Sequence, residues 1–134
     1  MPERNDSEPE RSAFKGKTGL ARLCRAFLHS WDGLSAAFRH ESAFRQALLL
    51  AAILIPTSFL VPVVPVERAL LIASALLVLV VELVNTGIEA TIDRVSLERH
   101  PLSKRAKDAG SAAVLVSLVL LASVWAVILL PKLA

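Results

Sequence analysis

At 134 residues the chain has room for one domain, and its lone cysteine, Cys24, excludes an internal disulfide and a thiolate metal site. The net charge of +3 is modest, hydrophobic residues make up 54% of the chain, and nearly all charge falls in residues 1–45 and 93–108. That partition excludes an ordinary soluble core and describes a small multi-pass membrane protein, with no nucleic-acid partner expected.

Residues 1–19, MPERNDSEPERSAFKGKTG, mix both charge signs with Pro, Ser and Gly and show no periodicity. They are expected to form a polar, disordered tail, too polar for a signal peptide, so the chain is expected to keep its start. Gly16-Lys17-Thr18 matches the end of a phosphate-binding loop, but Arg11 stands where its first glycine belongs, and no strand precedes it. From Leu20 the pattern changes. Leu20, Leu23, Phe27, Trp31, Leu34 and Phe38 recur at spacings of 3, 4, 4, 3 and 4, which predicts an amphipathic helix over 20–40. Arg22, Arg25, His29, Asp32 and Arg39 occupy its other sides. Such a helix suits a membrane surface, and equally the flank of a helical bundle.

Three apolar spans follow. Ala47–Val64, at 18 residues, just crosses a hydrocarbon core of about 30 Å; Pro56 is placed to kink it, and Pro62 and Pro65 to end it. Glu67-Arg68 reads as a minimal loop. The second span runs from Ala69 to about Ile92, and a charged loop, 93–108, leads to the third, Ala109–Leu130, which has 22 uncharged residues. The third span opens with Gly110-Ser111-Ala112-Ala113, small residues that let helices approach closely, and carries Trp125 near its far end, where interfacial anchors are common. Basic residues flank the surface helix and crowd the 93–108 loop, so the positive-inside rule places the N-terminus and that loop in the cytoplasm and the C-terminus outside.

The second span carries the chemistry. Glu82, Asn85, Glu89 and Asp93 fall at about 0°, −60°, −20° and +20° on a helix turning 100° per residue, a single polar stripe. Asp93 lies near the cytoplasmic surface and Glu82 about 16 Å deeper. Acids inside a membrane are costly, so the stripe must face a neighbouring helix, a partner chain or a hydrated cleft; a homo-oligomer with sites between chains is the natural solution. Glu82 and Glu89 are about 10 Å apart along the axis, too far to share one ion or one proton. Glu89 is placed to reach a hard cation, with Glu41 at the cytoplasmic end of the first span as a second ligand. Carboxylates plus substrate phosphates are the usual way of holding Mg²⁺. Lys107, with Asp108 beside it, is a candidate for the phosphates. Glu82, deprived of water among apolar neighbours, suits a general base working near neutrality. A base at lipid depth beneath a metal and phosphate site implies a lipid alcohol attacking a nucleotide phosphate.

Plainer roles stand beside these. Glu82 and Asn85 can serve as hydrogen-bonding residues between helices, Asp93 as a surface cap or ion-pair partner, and Glu41 as a helix-end charge. His29 and His100 read as interfacial histidines, Arg99-His100-Pro101 as loop punctuation, and no HExxH spacing supports a transition metal.

The run Glu82-Leu-Val-Asn85-Thr-Gly-Ile-Glu89-Ala-Thr-Ile-Asp93 resembles the signature of the bacterial integral-membrane diacylglycerol kinases. Lys104-Arg-Ala-Lys107-Asp108-Ala-Gly110-Ser111-Ala-Ala resembles that family's second block, and Trp31 with Glu41-Ser-Ala-Phe44-Arg45-Gln46 its N-terminal elements. The likeness covers about residues 20–130 in order. It implies an all-α membrane protein of three spans and a surface helix, assembled as a homotrimer with composite sites in the bacterial cytoplasmic membrane. The implied reaction moves the γ-phosphate of MgATP to diacylglycerol, giving phosphatidic acid.

Carried over by position, Glu82 resembles the catalytic base, Glu41 and Glu89 the Mg²⁺ ligands, and Asn85 a further polar active-site residue. Lys107 and Asp108 match positions beside the nucleotide phosphates, and Arg22, His29 and Glu98-Arg99-His100 nucleotide-contacting regions. The family often has tyrosine where His29 stands, and Ala47 replaces an acid found in some relatives. The stretches holding Ala26, Ser30 and Trp31, Ser35 and Phe38, and Ala43, Phe44, Arg45 and Ala47 are expected to border the lipid. Glu82, Ser111, Arg68 and Trp125 join that set. Two other functions fit the same residues: a kinase of this fold acting on undecaprenol, and a small oligomeric transporter using Glu82 as its proton or cation site.

Overall fold

A computed structural model describes residues 19–134; the expectations for residues 1–18, tail and Gly16-Lys17-Thr18 alike, lie outside them. Four helices follow one another: α1 Gly19–His40, α2 Ser42–Leu60, α3 Pro65–Val95 and α4 Pro101–Leu133. The last three are long and apolar enough to cross a membrane. The chain divides into two units, one ending at Gly33 and the other running from Leu34 to Ala134. In the first, the helix is amphipathic as its spacing predicts. Leu20, Leu23, Phe27 and Trp31 are all exposed, so nothing within this unit buries the apolar face.

The second unit begins with the last turns of α1, and a single residue, Glu41, separates them from α2. Its backbone is extended (φ −113°, ψ 111°), while its N–H still donates to Ala37 O at 2.9 Å. A helical run thus becomes a corner without a loop. Arg45, one turn into α2, reaches back and donates to Phe38 O at 2.9 Å and Arg39 O at 3.3 Å, satisfying carbonyls that the end of α1 leaves open.

The first span sits earlier than expected, at Ser42–Leu60 rather than 47–64. The polar residues before Ala47 extend it, and Pro62 ends it by holding Val61 extended (ψ 144°). Its 19 residues span about 28 Å. The helix runs through Pro56. Pro65 does not end this span but opens α3 at its first turn, the position proline tolerates best. Glu67-Arg68 is consequently helix rather than loop. Glu67 Oε2 accepts from Val64 N at 3.0 Å and pairs with Lys132 Nζ at 3.1 Å, tying the start of α3 to the end of α4.

Arg68 has a specific local task. Helical pairing of Ser58 O needs a donor four residues on, and that residue is Pro62, which has no N–H. Arg68 Nε supplies the donor at 3.0 Å, and its guanidinium lies 5.4 Å from the Phe59 ring centroid. Arg68→Ala is therefore expected to lower thermal stability in micelles by about 1–3 kcal/mol, the cost of an unsatisfied carbonyl. Unchanged stability would refute that local task.

The charged loop is far shorter than 93–108. α3 continues to Val95 and α4 begins at Pro101, leaving only Ser96–His100 between them. His100 Nδ1 accepts from Leu102 N at 3.2 Å and Pro101 fills the first turn, two start signals that the charge pattern hid. Lys104, Arg105, Lys107 and Asp108 are thus helical. At 31 and 33 residues, α3 and α4 measure about 46 and 50 Å, so both project well beyond a 30 Å hydrocarbon layer.

α3 packs on both α2 and α4, and among the described residues these two make no close backbone approach to each other. The core is built of small residues where the helices meet: Ala47, Ala51 and Ala75 with Val78 and Leu121, flanked by Leu50, Leu54, Ile55, Leu79 and Trp125. Small side chains allow the close approach on which helix association in lipid depends. Buried Ser58, Ser74 and Ser117 donate to Ile55 O, Leu71 O and Val114 O of their own helices, at 2.6, 2.9 and 2.7 Å. Trp125 is half-buried and turns inward, its Nε1 donating to Leu71 O at 3.3 Å. It therefore fastens α4 to α3 as well as lying near a helix end.

Candidate active site

Leu71, Ala75 and Val78 are buried on α3, and the same spacing of 4 and 3 residues continues through Glu82, Asn85 and Glu89. One face of one helix therefore turns from apolar to polar as it runs toward the α3–α4 loop. Glu82 is 7% exposed, Asn85 and Glu89 are half-buried, and Asp93 is exposed. The stripe is a graded descent from solvent into the protein, and its deepest acid is screened by the chain itself.

Around Glu82 the electrostatics are one-signed: the charges of Glu89 and Glu41 both act on it. Glu41 arrives from the α1–α2 corner, half-buried, and makes no capping hydrogen bond with its side chain. Like charges acting on one another at this depth are unfavourable, and a hard cation beside Glu41 or Glu89 relieves that repulsion. Among the described residues no three carboxylates or imidazoles lie close enough to hold a metal alone. Glu41 and Glu89 are the two carboxylates that could hold a hard cation, with the rest of its oxygens from elsewhere. Asn85 Nδ2 donates to Glu89 Oε1 at 3.2 Å. At its other end Asn85 Oδ1 is buried without a partner, packed against Gly110 of α4.

Beyond Glu89 the charges pair across the seam. Lys107 Nζ donates to Asp93 Oδ1 at 2.7 Å, so Asp93 is an ion-pair partner here, one of the two plain roles its position allows. Lys104 pairs with Asp108 at 2.5 Å one turn along α4. A groove of about 740 Å³ opens at this end, lined among others by Asp93, Glu98, Arg99, His100, Lys107 and Asp108. Ile92, Leu97 and Pro101 give it apolar walls. Its charged lining is balanced, Arg99, Lys104 and Lys107 against Asp93, Glu98 and Asp108, and its volume is that of a small-molecule site.

The structure thus places Glu82, Asn85 and Glu89 on one face of α3, with Glu41 near enough for its charge to act on Glu82, and Glu98–His100, Lys107 and Asp108 around one groove. Phe44 and Ala47 are buried within the bundle, while Phe38, Ala43 and Ser111 are exposed. Arg22, Ala26, His29, Ser30 and Trp31 all lie exposed on the first unit, where Ser30 Oγ donates to Ala26 O at 2.9 Å. Arg68 lies about 21 Å from Glu82 along α3, and Trp125 meets α3 about 16 Å from it, so neither joins the stripe within one chain. Gly110 was visible in the sequence only as a small residue. Its contact with Asn85 depends on the register of α4 against α3, which no spacing within either helix encodes.

Comparison with known proteins gives a consistent result. The sequence pattern of the prokaryotic diacylglycerol kinases matches residues 28–129. A diacylglycerol kinase of Pseudomonas aeruginosa is 60% identical over 119 residues, covering 89% of this chain and 97% of that one. Those of Haemophilus influenzae and Escherichia coli K12 are 46% and 44% identical, each over 84% of this chain and 95% and 92% of theirs. The matched region holds all of α2 and α3, the α3–α4 groove and the Glu82–Asp93 stripe, and with that agreement of sequence and site the chain belongs to the prokaryotic diacylglycerol kinase family.

Proposed function

We propose that this protein is an ATP-dependent lipid kinase of the membrane, phosphorylating diacylglycerol to phosphatidic acid. The observation that carries the reading is the continuous α3 face, on which a screened carboxylate deep along an apolar helix leads up to further acids and then to a groove that offers Arg99, Lys104 and Lys107. A soluble acceptor would not need its base so deep; a lipid hydroxyl, held near the membrane interface by its acyl chains, does.

The mechanism follows from that placement. The free hydroxyl of diacylglycerol attacks the γ-phosphorus of ATP in line with the bond to the β-phosphate oxygen. The new O–P bond forms as the bond to ADP breaks, and Glu82 accepts the hydroxyl proton. Lys107, already fixed by Asp93, presents its ammonium to the phosphates, and Arg99 and His100 border the nucleotide in the groove. Glu41 and Glu89 would hold Mg²⁺, with Asn85 fixing Glu89, and when bound the ion neutralises phosphate charge. The protein's contribution is orientation and charge rather than a covalent step.

Arg22 and His29 are read as further nucleotide contacts. Ala26, Ser30, Trp31, Ser35, Phe38, Ala43, Phe44, Arg45, Ala47 and Ser111 are read as bordering the lipid, and Arg68 and Trp125 as reaching it only by way of a neighbouring subunit. The exposed apolar faces of α2 and α4, and acids placed deep along α3, support a homotrimer with sites completed between chains. The basic residues around α1 and the α3–α4 loop support a cytoplasmic N-terminus and groove, in the bacterial inner membrane, with the C-terminus outside.

The test is direct. Purified protein in micelles, given MgATP with diacylglycerol or with undecaprenol, should yield lipid phosphate preferentially from diacylglycerol. A preference for undecaprenol would move the acceptor to polyprenyl alcohols, and no product from either, with a folded oligomer, would refute the kinase reading.

A further inference from the structure

Gly110 lies buried inside α4, nine residues past its start, and glycine there needs a reason. No glycine among the described residues has a positive φ, so the backbone does not require it, and alanine is the better helix former. The reason is space. A Cβ on Gly110 would overlap Asn85 Oδ1 and stand 3.2 Å from Asn85 Cγ. The same oxygen is a buried side-chain acceptor left without a hydrogen-bond partner, lying against the backbone of Gly110. The other end of the amide donates to Glu89 Oε1. Reversing the amide would set its oxygen against the Glu89 carboxylate oxygen and lose that hydrogen bond, which favours the orientation seen.

We propose that Gly110 is a positioning residue: its missing side chain forms the seat that turns the Asn85 amide to hold Glu89 for the metal. The inference rests on the reading of Glu89 as a metal ligand, and adds a residue on a different helix that acts through Asn85. α4 thereby sets the geometry of an acid on α3 without touching it.

A double-mutant cycle tests this. Gly110→Ala, Asn85→Ala and the double variant are prepared as full chains in micelles. Mn²⁺ affinity is read by electron paramagnetic resonance with a non-hydrolysable ATP analogue present. Gly110→Ala should weaken Mn²⁺ binding about 10-fold, the usual size of a lost outer partner. In the Asn85→Ala background it should change binding less than about 2-fold, because no amide remains to displace. Equal losses in both backgrounds, or no loss in either, would overturn the proposal. Should Gly110→Ala alone fail to fold, a folded double variant with the affinity of Asn85→Ala supports the seat, and a double variant that also fails overturns it.

Metal-free protein separates this from the reading beneath it. The side-chain amide ¹⁵N signal of Asn85 should move in Gly110→Ala; an unmoved signal refutes the seat. Native Mn²⁺ affinity in Glu89→Gln, with the Asn85 signal moved by Gly110→Ala, would refute the ligand role of Glu89 and leave the seat standing.

Discussion

Glu82→Gln is expected to reduce kcat at least about 100-fold, within the range of a lost general base, while the nucleotide still binds. Glutamine keeps the shape of the side chain and its capacity to hydrogen-bond, and loses only the ability to take a proton. The substitution also removes a charge from a site 7% exposed and flanked by two further acids, so thermal stability should hold or rise. That pairing decides between chemistry and packing. A hydrogen-bonding residue between helices would show the opposite, near-normal turnover with lost stability. Turnover is measured in mixed micelles with saturating MgATP and diacylglycerol, and binding by displacement of a fluorescent nucleotide. Activity within a few-fold of the parent would remove Glu82 from the reaction.

Glu89→Gln should act differently, raising the Mg²⁺ concentration for half-maximal activity by about 10-fold or more, since losing a direct ligand should cost at least what losing an outer partner does. At saturating Mg²⁺ part of the rate should return, because phosphate oxygens and water continue to hold the ion. Glu41→Gln should follow Glu89→Gln and not Glu82→Gln, since the α1–α2 corner presents Glu41 as a side chain with no capping task. A metal titration of all three variants against the parent resolves the two classes. If Glu89→Gln leaves the Mg²⁺ dependence unchanged, the division of labour along α3 is wrong.

That division explains how so small a chain places acids in a membrane. The buried apolar face of α3 supplies the packing that fixes the helix, and its polar continuation inherits the same fixed orientation. The acids carry no separate scaffold. Their cost is limited by the screening of α2 and α4 on either side of α3, and by the gradient of exposure from Glu82 to Asp93. The pair Lys107–Asp93 sits at the exposed end, where exchanging an ion-pair partner for a phosphate costs little.

Much of this was legible in the amino-acid sequence. Three spans, the amphipathic surface helix, the angular alignment of Glu82, Asn85, Glu89 and Asp93 and their ordering in depth all follow from periodicity and hydropathy. These are properties of a single helix and need no partner to be defined. Element ends were read less well, for identifiable reasons. The charge over 93–108 suggests loop, yet lysine, arginine and glutamate are good helix formers, and His100-Pro101 supplies the start signal. Pro65 reads as a stop beside Pro62, but it stands where a helix begins.

What only the tertiary structure decided are the relations between helices. The Arg68 bond to Ser58 O, the inward turn of Trp125, the Lys107–Asp93 pair, and the fit of Asn85 against Gly110 each join residues on different helices. Side-chain period fixes which face a residue occupies, but not which residue of the neighbouring helix lies opposite. That register is set by packing of Ala47, Ala51, Ala75, Val78 and Leu121, and it gives one glycine on α4 a hold over the acid chemistry of α3.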